Sequence, residues 1–245
     1  MKIDKNFFVD NFKTIFYALI IALLIRSIII QPFYIPSSSM EPNLLVGDRL
    51  FVTKYSFGYS KHSFPFSLPL FKGKILSKIP KRGDVIVFKT PADNRTDYIK
   101  RLIGLPGDKI KFIDGDLHIN DNLVLKTRIS TTDTIYCGDA AIPVNTFEEK
   151  LPNGKKYVAV YRKKGSMIDS DKFIVPMNHY FFMGDNRDCS KDSRFLSSVG
   201  FVNFNNLVGK AQFIFFSNDK QEGLFIQFWK WGESIRLQRF FKKIL

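Results

Sequence analysis

The hydrophobic pattern of the chain begins with one long apolar run. Residues 14–30 are interrupted only by Arg26 and Ser27. As a helix this run would span roughly 26 Å, just enough to cross the hydrocarbon core of a bilayer. Arg26 lies near the distal end, where its long side chain can reach the interface. The pattern therefore predicts a single transmembrane helix.

A cleavable export signal is the alternative interpretation of this run. The small-residue cleavage pattern is missing after it, where Gln31-Pro32-Phe33-Tyr34 follows instead. We therefore favour an uncleaved anchor. The preceding segment, residues 1–13, carries Lys2, Lys5 and Lys13, and this basic flank predicts a cytoplasmic N-terminus with the rest of the chain exported.

Beyond the anchor the apolar positions occur in short runs separated by turns. Such runs, rich in β-branched and aromatic residues, predict strands. They occur at residues 50–53, 85–88, 97–104, 111–113, 117–119, 158–161, 181–183 and 207–216. Asp114-Gly115 and Asn153-Gly154 are typical of hairpin turns. We expect a mainly β, antiparallel fold.

One predicted strand, residues 97–104, carries two adjacent basic residues. Alternation places Lys100 on one face and Arg101 on the other, each between apolar neighbours, so one of them must share an apolar face. A lysine held there would lose solvation, and its pKa would fall from about 10.4 toward neutrality. The alternative is an edge strand whose lysine reaches water.

A serine cluster follows the anchor at residues 35–42, Ile-Pro-Ser-Ser-Ser-Met-Glu-Pro. Pro36 and Pro42 restrict the backbone on both sides, so we expect a non-helical segment that presents its side chains outward. This arrangement suits a nucleophile. A solvated serine-rich turn is the plainer alternative.

A third notable stretch follows the strand predicted at 181–183. Residues 184–194, Gly-Asp-Asn-Arg-Asp-Cys-Ser-Lys-Asp-Ser-Arg, alternate acidic and basic side chains that could form bidentate arginine–carboxylate pairs. Such pairs would fix a loop that supports a precisely placed group. A solvated charged turn is the alternative.

The charge and the cysteine content of the chain limit its possible partners and metal sites. The net charge is +14 with a pI of about 9.7. The excess is largely a general richness in lysine, and a membrane surface is a better partner than nucleic acid because no nucleic-acid-binding motif is present. The three histidines and two cysteines show no metal-ligand spacing. Whether Cys137 and Cys189 pair is left open by the sequence.

Taken together, three ordered motifs identify a resemblance. They are Pro-Ser-x-Ser-Met-x-Pro at 36–42, Tyr-Ile-Lys-Arg-x-x-Gly-x-Pro-Gly-Asp at 98–108, and Gly-Asp-Asn-Arg-Asp-x-Ser-x-Asp-Ser-Arg at 184–194. This combination resembles bacterial type I signal peptidase. The resemblance implies a serine–lysine dyad, with Ser39 as nucleophile and Lys100 as general base.

The same resemblance assigns supporting roles. Ser37 matches the residue whose hydroxyl joins the Ser39 N–H in the oxyanion hole, and Ser190 matches the residue that orients the lysine. The remaining matches are supporting charged positions: Asp185, Arg187, Asp192 and Arg194. The chain departs from the family at Ser38, Asn43 and Cys189, and it has five residues between Arg194 and Gly200 where two are typical.

The resemblance also implies a domain organisation. We expect a cytoplasmic N-terminus at 1–13, a transmembrane anchor at 14–30, a catalytic β domain at 31–108 and 179–245, and a smaller inserted β domain at 109–178. The expected substrates are signal peptides of exported preproteins, with small residues at the first and third positions before the cut. We expect a phospholipid membrane as partner, the bacterial inner membrane as location with the catalytic domain outside, and no metal, cofactor or nucleic acid.

Two other classes of protein remain as alternatives. A membrane-tethered binding protein would use its basic, aromatic body for anionic lipid or nucleic acid, and would be indifferent to Ser39→Ala. A self-cleaving, repressor-like protease shares serine–lysine chemistry but should carry a DNA-binding helix-turn-helix. An apolar anchor stands there instead.

Overall fold

The chain begins with a helix that continues directly into the main β-sheet. The computed structural model describes residues 5–64, 67, 72–130, 133–138, 140–219, 229 and 231–245. Helix α1, Lys5–Leu24, is followed by a wider helical turn at Ile25–Ile29. Residues Val9–Ile29 are long and apolar enough to cross a membrane, and only 6% of the most apolar window is buried inside the protein. Such an unpacked apolar helix fits a membrane anchor.

The main sheet has seven strands and contains most of the strands predicted around the three motifs. Its order is β1-β2-β15-β3-β4-β13-β14, with antiparallel pairing throughout. The strands are β1 Ile30–Tyr34, β2 Asp48–Thr53, β3 Val85–Lys89, β4 Asp97–Gly104, β13 His179–Met183, β14 Val202–Asn203 and β15 Leu207–Ser217. The predictions for five of these strands are confirmed to within two residues at each end, whereas β1 and β14 were not predicted.

Two smaller sheets follow in the segment between β4 and β13. One contains β5 Lys109–Ile113, β6 Asp116–Ile119, β7 Asn122–Leu123 and β12 Phe173–Ile174. The other contains β8 Leu125–Ser130, β9 Thr134–Cys137, β10 Ala140–Lys150 and β11 Lys156–Arg162. A short helix, α2, lies at Trp231–Ser234. The fold is mainly antiparallel β, as the sequence predicts.

Strand β4 lies inside the main sheet, between β3 and β13. The edge-strand alternative for the basic pair is therefore wrong. Residues Lys100 to Gly104 are all buried, because apolar clusters cover the sheet on both faces. Both Lys100 and Arg101 are consequently removed from water, which alternation alone did not predict.

Candidate active site

The serine cluster forms a tight loop between β1 and β2. Two backbone hydrogen bonds hold its base, from Ile35 N to Asp48 O (2.9 Å) and from Gly47 N to Ile35 O (3.0 Å). Residues Ser38–Met40 form one 3₁₀ turn and are buried. The expectation of a non-helical, outward-facing segment is therefore wrong. Proline disfavours helix only at itself and at the residue before it, so the residues between Pro36 and Glu41 remain free to turn inward.

Lys100 reaches this turn from strand β4. Its Nζ lies 2.6 Å from Ser39 Oγ. Ser39 is 6% exposed and Lys100 is 3% exposed, so the contact is shielded from water. No carboxylate among the described residues lies within ion-pair distance of the Lys100 ammonium. The structure therefore brings together a buried hydroxyl and a buried amine that are 61 residues apart.

Burial lowers the pKa of Lys100 to about 8, and the more distant carboxylates of Asp192 and Asp185 oppose this shift without reversing it. Moving an ammonium out of water favours the neutral amine. At mildly alkaline pH a substantial fraction of Lys100 is therefore an unprotonated base in contact with a hydroxyl.

Ser37 lies beside the same hydroxyl, with 3.3 Å between Ser37 Oγ and Ser39 Oγ. The carbonyl groups of the turn are held from the other side by Asn186. Its backbone N donates to Ser39 O (3.2 Å), and its side-chain Nδ2 donates to Ser38 O (3.1 Å). Sequence reasoning gave Asn186 no role, although it lies within the third motif. The Gly-Asp-Asn-Arg run was the available signal.

Gly184 allows the third motif to approach the serine turn. A Cβ at this position would collide with Ser39 O and with the Ser190 side chain. Ser190 is buried and close enough to Asp192 to help lower the pKa of that carboxyl, and no hydrogen bond joins its Oγ to Lys100 in the described part of the chain. Close backbone approach is a common reason for glycine at a fixed position. The loop therefore packs directly against the serine turn and places Ser190 next to it.

Two buried ion pairs fix the charged loop to the rest of the fold. Arg101 donates to both Asp185 oxygens at 2.7 Å. Asp185 also accepts a hydrogen bond from Asn43 Nδ2 at 2.7 Å. Burial opposes the charge of Arg101, but the Asp185 carboxylate raises the pKa of Arg101 above its ordinary value. Asp185 thus ties strand β4 to the serine loop.

Arg187 pairs with a carboxylate from the second small sheet. Its guanidinium donates to Glu149 at 2.8 and 2.6 Å, and the Tyr157 and Tyr161 hydroxyls donate to the same carboxylate at 2.6 and 2.5 Å. Burial would raise the pKa of Glu149, but Arg187 and the two hydroxyls hold it below the usual value. Glu149 and the two tyrosines were not singled out by sequence reasoning.

Asp192 and Arg194 form the local pair that the sequence suggested, at 2.8 and 2.9 Å. Burial would raise the pKa of Asp192, but the Arg194 guanidinium lowers it. Asp185 and Arg187 do not pair with each other, because their side chains meet Arg101 and Glu149 from other strands. Only part of the predicted pairing is therefore local.

Cys137 and Cys189 form a disulfide, which answers the question that the sequence left open. The bond joins strand β9 to the loop that carries Ser190. Among the described residues, no group of three or more histidine, cysteine or acidic side chains could hold a metal ion.

One cleft adjoins the end of the apolar helix, and a second cleft adjoins the serine turn. The anchor-side cleft is lined by residues that include Arg26, Ser27, Phe33, Lys61, Lys89 and Asp97. The outer cleft has a volume of about 900 Å³ and is lined by residues that include Ser37, Ser38, Glu41, Ile135, Cys189 and Arg236. The outer cleft therefore borders the serine turn, with space beside the residues that flank Ser39.

Comparison with known proteins gives consistent matches. Residues 8–216 match the family model described as signal peptidase, peptidase S26. The chain is 43% identical to a signal peptidase I from Rickettsia typhi, over 96% of this chain and 93% of the relative. It is 43% identical to a signal peptidase I from Rickettsia conorii, over 93% and 90%. A crystal structure of a signal peptidase I from Enterococcus faecalis V583 matches with 27% identity and a TM-score of 0.34, over 54% of this chain and 97% of that chain.

Proposed function

Since this chain belongs to the signal peptidase S26 family of serine peptidases, which remove signal peptides, we propose that it cleaves preproteins with a Ser39–Lys100 dyad. The observation that carries the proposal is the 2.6 Å contact between Lys100 Nζ and Ser39 Oγ in a water-excluded position. Serine is a weak nucleophile and needs a neighbouring base to take its proton. A neutral, desolvated amine supplies one.

The proposed reaction has two halves. Lys100 takes the Ser39 proton as the Ser39 oxygen bonds to the scissile carbonyl carbon. The carbon–nitrogen bond then breaks, and Lys100 returns the proton to the leaving amine of the mature protein. Water attacks the resulting acyl-enzyme ester, Lys100 accepts a proton from that water, and the released Ser39 oxygen regains it. The dyad supplies both nucleophile and base, so the proposed reaction requires no metal or cofactor.

The negative charge that develops on the carbonyl oxygen needs hydrogen-bond donors. In the proposal these are the Ser39 N–H and the Ser37 hydroxyl, whose oxygen lies 3.3 Å from Ser39 Oγ. Removal of one such donor typically costs about 2.7–4 kcal/mol of transition-state stabilisation. Asn186 holds the adjacent carbonyl groups, and in this way it fixes the orientation of the Ser39 N–H.

The remaining predicted residues act by positioning. Ser190 is placed next to the serine turn, and we assign its hydroxyl to orienting the Lys100 amine during the reaction. Asp185, Arg187, Asp192 and Arg194 hold the loop through the buried ion pairs described above. Their contribution is to keep Ser190 and Asn186 within reach of the dyad.

The membrane topology follows from α1. In the part of the chain that the structure describes, one helix is apolar and long enough to span a membrane, which fits a membrane-anchored enzyme. In the proposed topology the N-terminus is cytoplasmic, and the catalytic part lies outside the bacterial inner membrane, where the cleavage sites of exported preproteins emerge. We assign catalysis to residues 31–108 and 179–245. This division is supported by the main sheet, while residues 109–178 supply the two smaller sheets.

The test is cleavage of a preprotein with a small-x-small site, in detergent with phospholipid. Wild type should cut once, directly after that site, whereas Ser39→Ala and Lys100→Ala should be folded but inactive. Ser197→Ala and Lys150→Ala, at exposed positions, are matched controls that should retain full activity. Cleavage by both dyad variants at the wild-type rate would overturn the assignment.

A further inference from the structure

The outer cleft is acidic, although the protein as a whole is strongly basic. Its lining contains three carboxylates, Glu41, Asp133 and Asp219, and one guanidinium, Arg236. The anchor-side cleft has the opposite balance: its four basic residues, Arg26, Lys61, Lys89 and Arg95, outnumber two carboxylates. In a chain of net charge +14, a cleft with excess negative charge is a local feature that composition does not produce.

The two clefts can be assigned to the two sides of the scissile bond, an assignment that rests on the proposed function. A signal peptide precedes its cleavage site, and its apolar segment lies in the membrane. Substrate residues before the scissile bond therefore leave Ser39 toward the anchor, where Arg26 and Ser27 line the cleft at the end of the membrane span. Residues after the bond, which become the start of the mature protein, leave toward the outer cleft.

Glu41 is the acidic group closest in sequence to the nucleophile. It lies two residues beyond Ser39, so their Cα atoms are at most about 7.6 Å apart. An extended substrate advances about 3.3 Å per residue. Glu41 therefore lies within reach of the first two or three residues of the mature chain.

Glu41 also differs from its neighbours in having no cationic partner. Arg236 is engaged by Asp219 Oδ2 (2.5 Å) and Val46 O (2.9 Å), and Arg239 is paired with Asp48. Glu41 makes no ion pair with any described residue, and neither does Asp133. Burial raises the pKa of Glu41 to about 7, despite a hydrogen bond from the Val46 backbone and the pull of Arg236. A cation from the substrate would relieve the cost of ionising this carboxylate.

From the cleft position, its charge and the unpaired carboxylate, we infer that Glu41 forms a subsite for a basic side chain among the first three residues of the mature protein. The recognised group is a lysine ammonium or arginine guanidinium. Asp133, which lines the same cleft, adds to the negative potential of the site. Glu41 is in this view a specificity residue and takes no part in the proton transfers at Ser39.

The test compares peptides that share one small-x-small site and differ only in a lysine, glutamine or glutamate at mature positions one to three. At pH 8 wild type should give a kcat/KM for the best lysine peptide about fivefold above its glutamate counterpart, the size of a partly screened ion pair. Glu41→Gln should reduce that ratio to nearly one, mainly through KM. Glu148→Gln, which removes an exposed carboxylate on β10 outside the cleft, should leave the ratio unchanged.

Binding of the same peptides to Ser39→Ala protein separates this inference from the proposed function. A preference for lysine that is lost in Ser39→Ala/Glu41→Gln supports the subsite, whether or not wild type cleaves. Equal affinity for the lysine and glutamate peptides, or a preference that survives Glu41→Gln, overturns it. If wild type cleaves all peptides equally well, the peptidase assignment stands and the subsite fails.

Discussion

Lys100 and Arg101 are neighbours on strand β4, and both are buried, yet their surroundings shift their pKa values in opposite directions. Arg101, on one face of the sheet, meets the Asp185 carboxylate through two hydrogen bonds of 2.7 Å. Lys100, on the other face, has the Ser39 hydroxyl as its one side-chain hydrogen-bond partner among the residues that the structure describes. The pKa of Arg101 is raised, whereas burial lowers that of Lys100 to about 8.

The difference shows how one strand can serve structure and chemistry together. A buried cation with a bidentate carboxylate is fixed in its charged form and holds two elements in place. A buried cation without one is easily deprotonated and becomes a base. Among the described residues, all four buried arginines follow the first pattern, each with its own carboxylate: Arg101 with Asp185, Arg187 with Glu149, Arg194 with Asp192, and Arg239 with Asp48.

Lys54 shows that lack of a carboxylate is not sufficient for catalysis. It is the other buried lysine in the described part of the chain, and burial also lowers its pKa to about 8. Its ammonium contacts the His62 carbonyl oxygen at 3.4 Å. A carbonyl oxygen has no proton to give, so Lys54 has no nucleophile to activate. The adjacent hydroxyl of Ser39 is what distinguishes Lys100.

The largest effect on activity is expected from replacing Lys100, the buried lysine that has no carboxylate partner. Lys100→Met should lower kcat/KM by about 10³-fold, within the range for loss of a general base. The free energy of unfolding at pH 7 should not fall, because a similar-sized apolar side chain replaces a desolvated ammonium. Preprotein cleavage and denaturant unfolding measure the two quantities. Retention of a tenth of the activity would contradict the role of Lys100 as base.

A large effect on stability is expected on the other face of β4. Asp185→Asn should reduce the free energy of unfolding by about 3–5 kcal/mol, because it leaves the Arg101 guanidinium buried and unpaired. The control is Glu148→Gln, which breaks an exposed ion pair with Lys156 and should cost less than about 1 kcal/mol. Similar losses for the two variants in denaturant unfolding would show that burial does not make the Arg101–Asp185 pair contribute more to stability than the exposed pair.

A smaller effect is expected in the dependence of activity on pH, which tests whether Lys100 is easily deprotonated. Activity requires the neutral amine of Lys100, whose pKa is about 8, so kcat/KM should rise about tenfold between pH 7 and a plateau near pH 9. A flat profile from pH 6 to 9 would be inconsistent with an amine base.

The shifted pKa of Lys100 also predicts how the free energy of unfolding changes with pH. The pKa of Lys100 in the folded protein lies below its value in the unfolded chain, so between about pH 8 and 10.5 the unfolded chain binds the extra proton. The contribution of Lys100 to the free energy of unfolding therefore rises with pH across this window. Subtracting the curve of Lys100→Met isolates that contribution from other groups.

The sequence by itself determined many of the strands, the membrane-spanning run and the identity of the two residues proposed as the dyad. Strand positions follow from local alternation and turn residues, and β4 was placed at its observed bounds, Asp97–Gly104. Ser39 and Lys100 were found because three motifs keep a characteristic order and spacing. These features depend on residues close together in the chain or on resemblance, so no tertiary contact was needed to find them.

Only the tertiary structure decided which charges are neutralised. Asp185 pairs with Arg101 across 84 residues, and Arg187 with Glu149 across 38, whereas the sequence indicated only that arginine–carboxylate pairs could form within residues 184–194. It also buried the serine turn, joined Cys137 to Cys189, and left Glu41 without a cation in the outer cleft. Local pattern determines the face of a strand on which a side chain lies. The residues that contact that face come from distant segments of the chain. They decide whether a buried basic side chain stays charged or is easily deprotonated.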